Sequence, residues 1–595
     1  MAELTQQDDA AAVTAYRDAV AAWAQRKAAA ADERELSKVG GARRQTVRVE
    51  KLEDANYAGG RKAQECTLIL TEGDSAAALA IAGLTVVGRD RYGVFPLKGK
   101  PLNVRDAGAK TVAGNAEVQN LVKILGLQFG TRYDDERARR TLRYGKLMIM
   151  ADQDVDGSHI KGLIINMLDH FWPSLLSGGF LQQFITPIVK ARRGAETKVF
   201  HTLTELTRWR DALPPDELRR FTLKYYKGLG TSTAAEAKEY FGRLERSVVP
   251  FEFRGAADTD KIDMAFAKKR AADRKAWLQA CDPSVAADYA HGPVAYEAFV
   301  DYELVHFSRY DNVRSIPSAV DGLKPSQRKV LFGCFKRNLT SEMKVAQLAG
   351  YVAEHSAYHH GEQSLTATIV NMATTYVGAN NANLLFPSGQ FGTRDKGGKD
   401  AASPRYIFTR LEPIARALFP EADDALLPQQ EDDGQPIEPA FYAPTIPLAL
   451  VNGCDGIGTG WSTYVPPHDP LEVIDREIAQ RLDTHRRRTL FAGCPALAVS
   501  AGGVGVGDER VDDEDIQARG LQAQGHDLGS ERAAVEEHRG IGLAEHRRCL
   551  VHDARRRADR VVLGGTTDPR EVLRAQVGAP QLVQRHGDGA FDGGG

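Results

Sequence analysis

The feature that most constrains this chain is a cluster of acidic residues at a predicted strand-to-helix junction. The apolar run Leu147–Ala151 predicts a buried strand, and Asp152, Asp154 and Asp156 follow it at alternate positions. Apolar residues at helical spacing come next and predict a helix that ends before Pro173. Ligands of α/β sheets bind at the carboxyl ends of the strands. We therefore expect these carboxylates at the ligand-binding edge of such a sheet.

The acidic cluster favours a divalent-cation site. Three carboxylates this close repel one another, and hard cations with oxygen ligands relieve that repulsion. A solvated acidic turn and a calcium loop are the alternatives. Gly157 stands where a calcium loop has its glycine, but the twelfth position is Leu163 instead of a bidentate Glu. The sequence therefore favours Mg²⁺.

A second predicted strand also ends in an acidic residue. Cys66–Thr71 predicts a buried strand, Glu72 follows it, and Ala76–Ala82 predicts a helix with Asp74 or Ser75 as its N-cap. Taken alone, Glu72 would be a capping acid. Two strand–acid–helix units in one domain predict instead that Glu72 joins the acidic cluster across neighbouring strands.

Basic residues between and after these units are candidates for phosphate binding. Lys98, Lys100 and Asn103 lie in a loop shaped by Gly and Pro, and a solvated basic loop is the alternative interpretation. Lys227 lies in a glycine-rich turn before the predicted helix Ala234–Leu244, where exposed amides bind anions. From composition alone, both signals are weak.

Composition excludes several classes of protein. The 595 residues predict several domains, and a net charge of −2 means that any DNA-binding surface is local. Six cysteines without a CxxC pair argue against a zinc site and a disulfide framework. The N-terminus is polar and acidic, unlike a secretory signal, and no apolar run is long enough to span a bilayer.

Several motifs, in one order, resemble a known family. Glu72-Gly-Asp-Ser-Ala and Asp152-Gln-Asp-Val-Asp-Gly-Ser-His resemble the Toprim domain of type IIA DNA topoisomerases. Tyr92-Gly-Val-Phe-Pro-Leu-Lys-Gly-Lys and Tyr226-Lys-Gly-Leu-Gly-Thr-Ser-Thr are similar to the eukaryotic enzymes of that family. The resemblance is nearly continuous from about Lys51 to about Leu471. It implies a multidomain α/β plus α+β fold, with a Rossmann-like parallel sheet in the Toprim domain, then a winged-helix domain and the start of a tower domain.

The resemblance implies a division into six segments. These are an N-terminal helical lead (1–63), a Toprim metal-binding domain (64–250), a helical linker (251–300), a winged-helix domain with the catalytic tyrosine (301–436), the start of the tower domain (437–486) and an aberrant tail (487–595). The family pattern stops beyond about Arg486, and we expect the tail to be a shifted reading frame and disordered. The family's N-terminal ATPase domain is also expected to be missing, so ATP is implied only for the full-length family enzyme.

The resemblance assigns the catalytic and DNA-binding roles. Tyr406, in Ser-Pro-Arg-Tyr, matches the family's nucleophile, although without that context it would be a packing tyrosine. Arg405 would stabilise charge on the phosphoryl oxygens. Ile457, on a glycine-flanked backbone, matches a wedge that kinks the duplex, and its ordinary alternative is a core residue. The remaining expected DNA contacts are Lys324, Arg328, Lys329, His359 and His360. The first three lie on a helix begun by Pro325, and a second helix at Val345–Ala353 follows in helix-turn-helix-like spacing. The two histidines are neighbours in the sequence and do not share one helix face, so they do not form a metal site by themselves.

The implied reaction is phosphoryl transfer on double-stranded DNA. Tyr406 would form a 5′-phosphotyrosyl link, while Glu72, Asp152 and Asp154 hold Mg²⁺, for which Mn²⁺ or Ca²⁺ could substitute, and Asp156 helps Asp154 to hold a second ion. Family members work as homodimers, and a nuclear protein without membrane partners is implied. The alternatives are a non-catalytic DNA-bending fragment and, less favoured, a gyrase-type relative, in which the acids and the tyrosine lie on separate chains.

Overall fold

The computed structural model divides the chain into two compact units. Unit 1 comprises residues 1–312 with 458–461, and unit 2 comprises residues 313–457 with the segment from 462 onward. Lys227 and the expected tail at 487–595 lie outside the described residues. The structure describes residues 2–39, 46–226, 228–282, 285, 287, 289, 292–432 and 435–480, with the backbone alone at 2–16, 203, 204 and 231.

The main feature of unit 1 is a six-stranded sheet in the order β2-β1-β3-β4-β8-β9. Its strands β1 to β4 are parallel, β8 is antiparallel to β4, and β9 is parallel to β8. A smaller antiparallel sheet has the order β6-β5-β7. The strands are β1 (Thr67–Thr71), β2 (Tyr92–Pro96), β3 (Lys146–Met150), β4 (Leu181–Phe184), β5 (Val189–Arg193), β6 (Glu196–Phe200), β7 (Thr222–Tyr225), β8 (Val248–Glu252) and β9 (Val294–Ala295).

Helices cover both faces of the main sheet, which explains why every residue of the central strand β1 is buried. Alternate residues of β1 point to opposite faces. Leu68 and Leu70 join the core formed with α4 and α6, while Ile69 joins the core formed with α2 and α10. The helices are α1 (Ala2–Ser37), α2 (Asp74–Val87), α3 (Ala109–Gly114), α4 (Ala116–Leu125), α5 (Glu136–Arg139), α6 (Val155–Phe171), α7 (Pro173–Ser177), α8 (Leu203–Asp211), α9 (Pro215–Leu218), α10 (Ala234–Gly242), α11 (Leu244–Ser247), α12 (Ala256–Phe266), α13 (Ala271–Gln279), α14 (Tyr296–Phe299), the π-helical turn Val300–Leu304 and α15 (Val305–Ser315).

The α/β prediction for this part of the chain is confirmed, and one local detail is wrong. Strands β1 and β3 lie within one residue of their predicted bounds. Neither Asp74 nor Ser75 is the N-cap of α2. That position is Gly73, which has no side chain to cap the helix, and the Asp74 carboxylate instead binds Lys51 Nζ at 2.7 Å.

Unit 2 contains three helices packed on a three-stranded antiparallel sheet, the arrangement of a winged-helix domain. The sheet order is β10-β12-β11, and two hairpins, β13–β14 and β15–β16, follow along the chain. One apolar core joins α16, α17 and α18 to this sheet. The elements are α16 (Pro325–Lys336), β10 (Met343–Lys344), α17 (Val345–His355), α18 (Glu362–Ala373), β11 (Leu385–Ser388), β12 (Phe408–Leu411), α19 (Pro413–Leu418), β13 (Gln429–Asp432), β14 (Gln435–Pro439), α20 (Leu448–Val451), β15 (Cys454–Ile457), β16 (Ser462–Val465) and a helix over residues 470–480.

Membrane-spanning character is not found in the described segments. Among them, no helix combines the length and the apolar character that crossing a bilayer requires.

The start of β3 allows a direct test of the packing. A Cβ atom at Gly145 would lie 2.1 Å from the backbone oxygen of Gln64. Because backbone gives way only at a cost, we expect Gly145→Ala to lower the free energy of unfolding by about 1–3 kcal/mol. Chemical denaturation measures this change.

The matched control is Gly114→Ala at the end of α3, where a Cβ atom meets nothing within 4 Å. This change should be neutral or slightly stabilising, because alanine restricts the unfolded chain. Equal stability of the two variants would contradict the packing described for β3.

Candidate active site

The acidic cluster forms where two neighbouring parallel strands end. Thr71, the last residue of β1, pairs with Met150, the last residue of β3. Glu72 follows β1 directly, and its Oε2 accepts a hydrogen bond from the backbone amide of Asp152 at 3.0 Å. The expected convergence of the two strand–acid–helix units is therefore present, and Glu72 does not cap its own helix.

Asp154 and Asp156 belong to the first turn of α6. Asp154 is the N-cap residue, and its Oδ1 accepts from the amide of Gly157 at 2.7 Å. A side chain at Gly157 is excluded, because its Cβ would lie 2.1 Å from the backbone oxygen of Asp152. Asp156 Oδ1 lies 2.6 Å from Lys100 Nζ. The glycine that suggested a calcium loop is thus required by the tight strand-to-helix turn.

The glycine-rich turn after β7 approaches the same edge. The amide of Leu229 donates to Asp152 Oδ1 at 2.7 Å. Gly228 has a φ of 152°, and a Cβ there would lie 2.4 Å from Asp152 Oδ2. The sequence analysis missed this backbone contact, because a main-chain amide leaves no signal of its own, although the glycines around it could have pointed to a close approach.

The carboxylates are held by separate partners. Within the described part of the chain, no three His, Cys, Asp or Glu side chains converge closely enough to hold a metal ion. The hydrogen bonds to Asp152 N, Leu229 N, Gly157 N and Lys100 Nζ account for this, since each draws one carboxylate toward a different group. The donor set itself still fits Mg²⁺, because it offers four carboxylates at one sheet edge.

Electrostatics at this edge also favour a cation. Burial of the side chain and the charges of Asp152, Asp154 and Asp156 raise the pKa of Glu72 to about 7, despite the hydrogen bond from Asp152 N. Burial and the charge of Asp154 likewise raise the pKa of Asp152, against the hydrogen bond from Leu229 N. A bound cation would remove the repulsion that contributes to both shifts.

The predicted phosphate-binding residues of unit 1 divide into two groups. Lys98 is exposed, with its Nζ 3.9 Å from Glu50, and Lys100 binds Asp156. Asn103 is exposed, and its amide is hydrogen-bonded within the protein. Its Nδ2 donates to the Phe266 oxygen at 3.0 Å, and its Oδ1 accepts from Arg105 N at 3.1 Å and from Asn166 Nδ2 at 2.9 Å. This amide connects α6 and α12, and its predicted DNA contact stays a prediction.

In unit 2, Tyr406 is presented to solvent from a short turn before β12. Its side chain is 72% exposed, so it is not the packing tyrosine that its strand position suggested. The Arg405 guanidinium carbon lies 6.0 Å from the centre of the Tyr406 ring. The first amides of α17 hold the turn, since Val345 N donates to Ile407 O at 3.0 Å and Ala346 N donates to Pro404 O at 3.1 Å.

The glycine-rich loop before Tyr406 closes on itself. Asp400 accepts from both the amide and the hydroxyl of Thr393 at 2.8 Å, and these hydrogen bonds lower the pKa of Asp400. Gly392, at a φ of 95°, lets the backbone approach Gly398, because a Cβ there would lie 2.6 Å from the Gly398 Cα. These contacts within the loop define its shape.

Two basic residues of α16, both predicted as DNA contacts, bind carboxylates of the protein. Arg328 is buried and donates to both Asp321 oxygens, at 2.8 Å and 3.0 Å. Lys329 Nζ binds Glu438 at 2.9 Å. Lys324 is the partly exposed N-cap residue of α16. This pairing explains why Arg328 is buried, since its guanidinium neutralises a buried carboxylate that also accepts from the amide of Tyr442.

The two adjacent histidines are exposed. His359 Nε2 lies 3.0 Å from Asp432 Oδ2, and the His360 ring packs edge-on against Tyr358, with 5.4 Å between ring centres. These neighbours have different surroundings, as their positions in the sequence implied.

Ile457 ends β15 and is 77% exposed, which excludes the core alternative. Strand pairing places Tyr464, 75% exposed, on the same face of the β15–β16 hairpin, opposite Asp455. The sequence analysis missed Tyr464, although strand alternation around Ile457 could have indicated it.

Comparison with known families accounts for most of the chain. Family models match consecutively as the Toprim domain (67–183), the C-terminal associated domain of TOPRIM (184–312) and the DNA gyrase/topoisomerase IV family (314–498). The chain belongs to the type IIA DNA topoisomerases. The last match continues past Arg486, where we expected the family pattern to stop.

Curated relatives and a solved structure agree with this assignment. The chain is 55% identical over 429 residues to DNA topoisomerase 2, mitochondrial, of Dictyostelium discoideum, a match that covers 72% of this chain and 33% of that protein. It is 55% identical over 451 residues to human DNA topoisomerase 2-beta, covering 73% and 28%. The Plasmodium falciparum topoisomerase II DNA-binding, cleavage and re-ligation domain matches with a TM-score of 0.62 and 54% identity, covering 74% of this chain and 60% of that one. The chain spans about a third of the length of these curated relatives.

The Glu72 pKa predicts how stability depends on pH. In the folded chain this pKa is about 7, above the 4.5 of an unperturbed Glu, so ionisation of Glu72 favours the unfolded state. Protonated Glu72 therefore contributes stability at low pH, and this contribution is lost as the pH rises from about 4.5 through 7. Metal-free Glu72→Gln should gain about 2–3 kcal/mol over the wild type at pH 8 but little at pH 4.5. Denaturation at both pH values measures this difference.

The matched control is Asp74→Asn, two residues away, where an exposed carboxylate binds Lys51. Its stability difference from the wild type should stay constant between these pH values. Parallel pH profiles for Glu72→Gln and the wild type would rule out the ionisation cost assigned to Glu72.

Proposed function

We propose that this chain is a Mg²⁺-dependent core that cleaves and religates double-stranded DNA. The observation that carries the proposal is the exposed Tyr406, held beside Arg405 by amides of the α17 N-terminus. The same chain has the carboxylate edge at Glu72 and Asp152. A nucleophile and an acidic edge in one family member support reversible phosphoryl transfer. Topology can change while a break is open, and religation then restores the original bonds. The activity is therefore that of an isomerase.

In the proposed reaction, the Tyr406 hydroxyl oxygen attacks a backbone phosphorus. The new Oη–P bond forms as the bond from phosphorus to the 3′ oxygen breaks, giving a 5′-phosphotyrosyl end and a 3′-hydroxyl. The phenol loses a proton and the 3′ oxygen gains one, with His359 or His360 as the proposed acceptor. Arg405 stabilises negative charge on the phosphoryl oxygens. Because the phosphodiester energy is retained in the link, religation is the reverse step.

The carboxylates are proposed as cation ligands. Glu72, Asp152 and Asp154 would hold one Mg²⁺, and Asp154 with Asp156 would hold a second, with Mn²⁺ or Ca²⁺ as possible substitutes. Such a cation would supply positive charge that stabilises the leaving 3′ oxygen. The raised Glu72 pKa supports this assignment, since desolvated carboxylates near one another favour a cation. Lys100 would neutralise Asp156 whenever the cation is absent.

DNA contacts follow from exposure and charge. We propose that Ile457 enters the duplex as an apolar wedge, because it is 77% exposed and glycines flank it on the backbone. We propose that Lys98, Lys100, Lys227 and Lys324 contact phosphates. His359 and His360 are further proposed DNA contacts. Arg328 is left out, because its side chain is buried against Asp321. Asn103 is exposed and Lys329 is partly exposed, so both stay proposed contacts.

Covalent trapping on supercoiled plasmid tests the proposal. With Mg²⁺ present and denaturant added, the wild-type chain should remain attached to DNA through a 5′ end. Tyr406→Phe should abolish this adduct but retain DNA binding, because only the nucleophilic oxygen is removed. Gel shift and adduct yield are measured on the same samples.

The matched control is Tyr302→Phe, which removes the hydroxyl of another exposed tyrosine. It should give the wild-type amount of adduct. DNA binding by the wild type without any adduct would reject cleavage and favour a DNA-bending fragment instead.

We further propose a homodimer in which Tyr406 of one protomer acts with the carboxylates of its partner. A two-fold assembly then contains two such sites. Tyr406→Phe and Glu72→Gln should each be inactive alone, but mixed dimers of the two variants should regain one intact site and nick one strand. Cleavage restored on mixing is the expected result. Its absence in verified mixed dimers would mean that both groups act within one chain.

The cleavage and religation steps are proposed to need no ATP, which would enter only in strand passage by a longer family enzyme. We also propose a nuclear location, in keeping with a chromosomal DNA substrate. Imaging of a tagged chain tests the location, and a mitochondrial signal, as in the name of the Dictyostelium relative, would contradict it.

A further inference from the structure

A buried ion pair connects α6 to the π-helical turn Val300–Leu304. Lys161, on α6, forms a salt bridge with Glu303 in that turn. Lys161 is 1% exposed, and its Nζ also lies 3.1 Å from Gln183 Oε1 on β4. Burying two charges is costly, and apolar side chains of similar volume would fill such a space at least as well. Packing alone therefore does not explain the pair.

Glu303 also connects to the beginning of α6. The Ser158 hydroxyl lies 2.9 Å from Glu303 Oε1 and 3.0 Å from the backbone oxygen of Asp154. The Tyr289 hydroxyl donates to the other Glu303 oxygen. One carboxylate thus contacts two points on α6, Ser158 and Lys161. The first of these lies in the same turn as Asp154 and Asp156.

Polar contacts of this kind fix an orientation that apolar contacts leave adjustable. Lys161 Nζ lies 6.0 Å from the centre of the Phe299 ring, and Phe299 belongs to the same apolar core as Leu163 and Leu304. A hydrogen-bonded ion pair has one favourable geometry in such surroundings. Since Asp154 and Asp156 leave the helix at its first turn, rotation of α6 would redirect both carboxylates.

We propose that Glu303 and Lys161 are positioning residues, which set the orientation of α6 so that Asp154 and Asp156 can bind a divalent cation. This inference rests on the proposed function, because it assigns a supporting structure to the same cation site. Neither residue touches the cation in this proposal. Glu303 acts through Ser158 and the helix backbone, in the way that outer contacts tune a metal site.

The test is the double variant Lys161→Met/Glu303→Gln. It removes both charges together, and the Gln side chain offers one acceptor oxygen in place of the two that bind Ser158 and Tyr289. The ionic contact with α6 is therefore lost and the Ser158 contact is weakened. The Mg²⁺ concentration for half-maximal adduct should rise on the order of tenfold, while the adduct at saturating Mg²⁺ stays at the wild-type level. A second readout needs no DNA. The Mg²⁺ concentration that gives half of the Mg²⁺-induced rise in Tm should increase by the same factor.

The matched control is Lys261→Met/Asp301→Asn. Lys261 binds Asp301 in the same π-helical turn at 2.8 Å, but this pair connects the turn to α12 instead of α6. Both Mg²⁺ midpoints should stay at the wild-type value. Should the first double variant fail to unfold cooperatively, Glu303→Asp replaces it, since a shorter carboxylate keeps the charge but withdraws from Ser158.

Unchanged Mg²⁺ midpoints in the Lys161/Glu303 variant, or an equal shift in the control, would overturn the positioning role. The two readouts also separate this inference from the proposed function. A wild-type chain that forms no adduct but is stabilised by Mg²⁺ defeats the cleavage proposal, while the Tm midpoints still decide the role of Glu303.

Discussion

The parallel pairing of β1 with β3 is the contact on which the candidate site depends. It aligns Thr71 with Met150, so the residues after both strands emerge at one edge. Buried apolar residues on both faces fix this register, because a shift by one residue would turn every side chain to the opposite face. The hydrogen bond between Glu72 and the Asp152 amide is a direct result. The core below these strands therefore places Glu72 and Asp152, the residues that follow the two strand ends.

Features set by a short continuous stretch of sequence were predictable, and contacts between distant segments were not. The apolar runs predicted the bounds of β1 and β3 to within one residue, and the acids that follow predicted the ligand-binding edge of the sheet. The Leu229 amide and the pairing of Arg328 with Asp321 needed the tertiary structure, because each joins segments whose proximity no local pattern records. Basic residues on a predicted helix looked alike, although burial made Arg328 structural and left Lys324 partly exposed.

Unit 2 presents its candidate nucleophile by a different means. No strand end directs Tyr406, which sits in a turn tied to the first amides of α17. The first amides of a helix have no partner within the helix and usually donate to a capping side chain or to water. Here two of them donate to carbonyl oxygens of this turn. The exposed position of Tyr406 is thus a property of the α17 N-terminus as much as of the loop, and local sequence around Ser403 does not reveal it.

Asp154 combines two tasks that are separate in many proteins, since it caps α6 and belongs to the proposed ligand set. Any cation that attracts this carboxylate competes with the Gly157 amide for the same negative charge. Occupancy of the site and order in the first turn of α6 are consequently linked quantities. Loss of this acid would remove the N-cap of α6 together with a proposed ligand, so one substitution would change both properties.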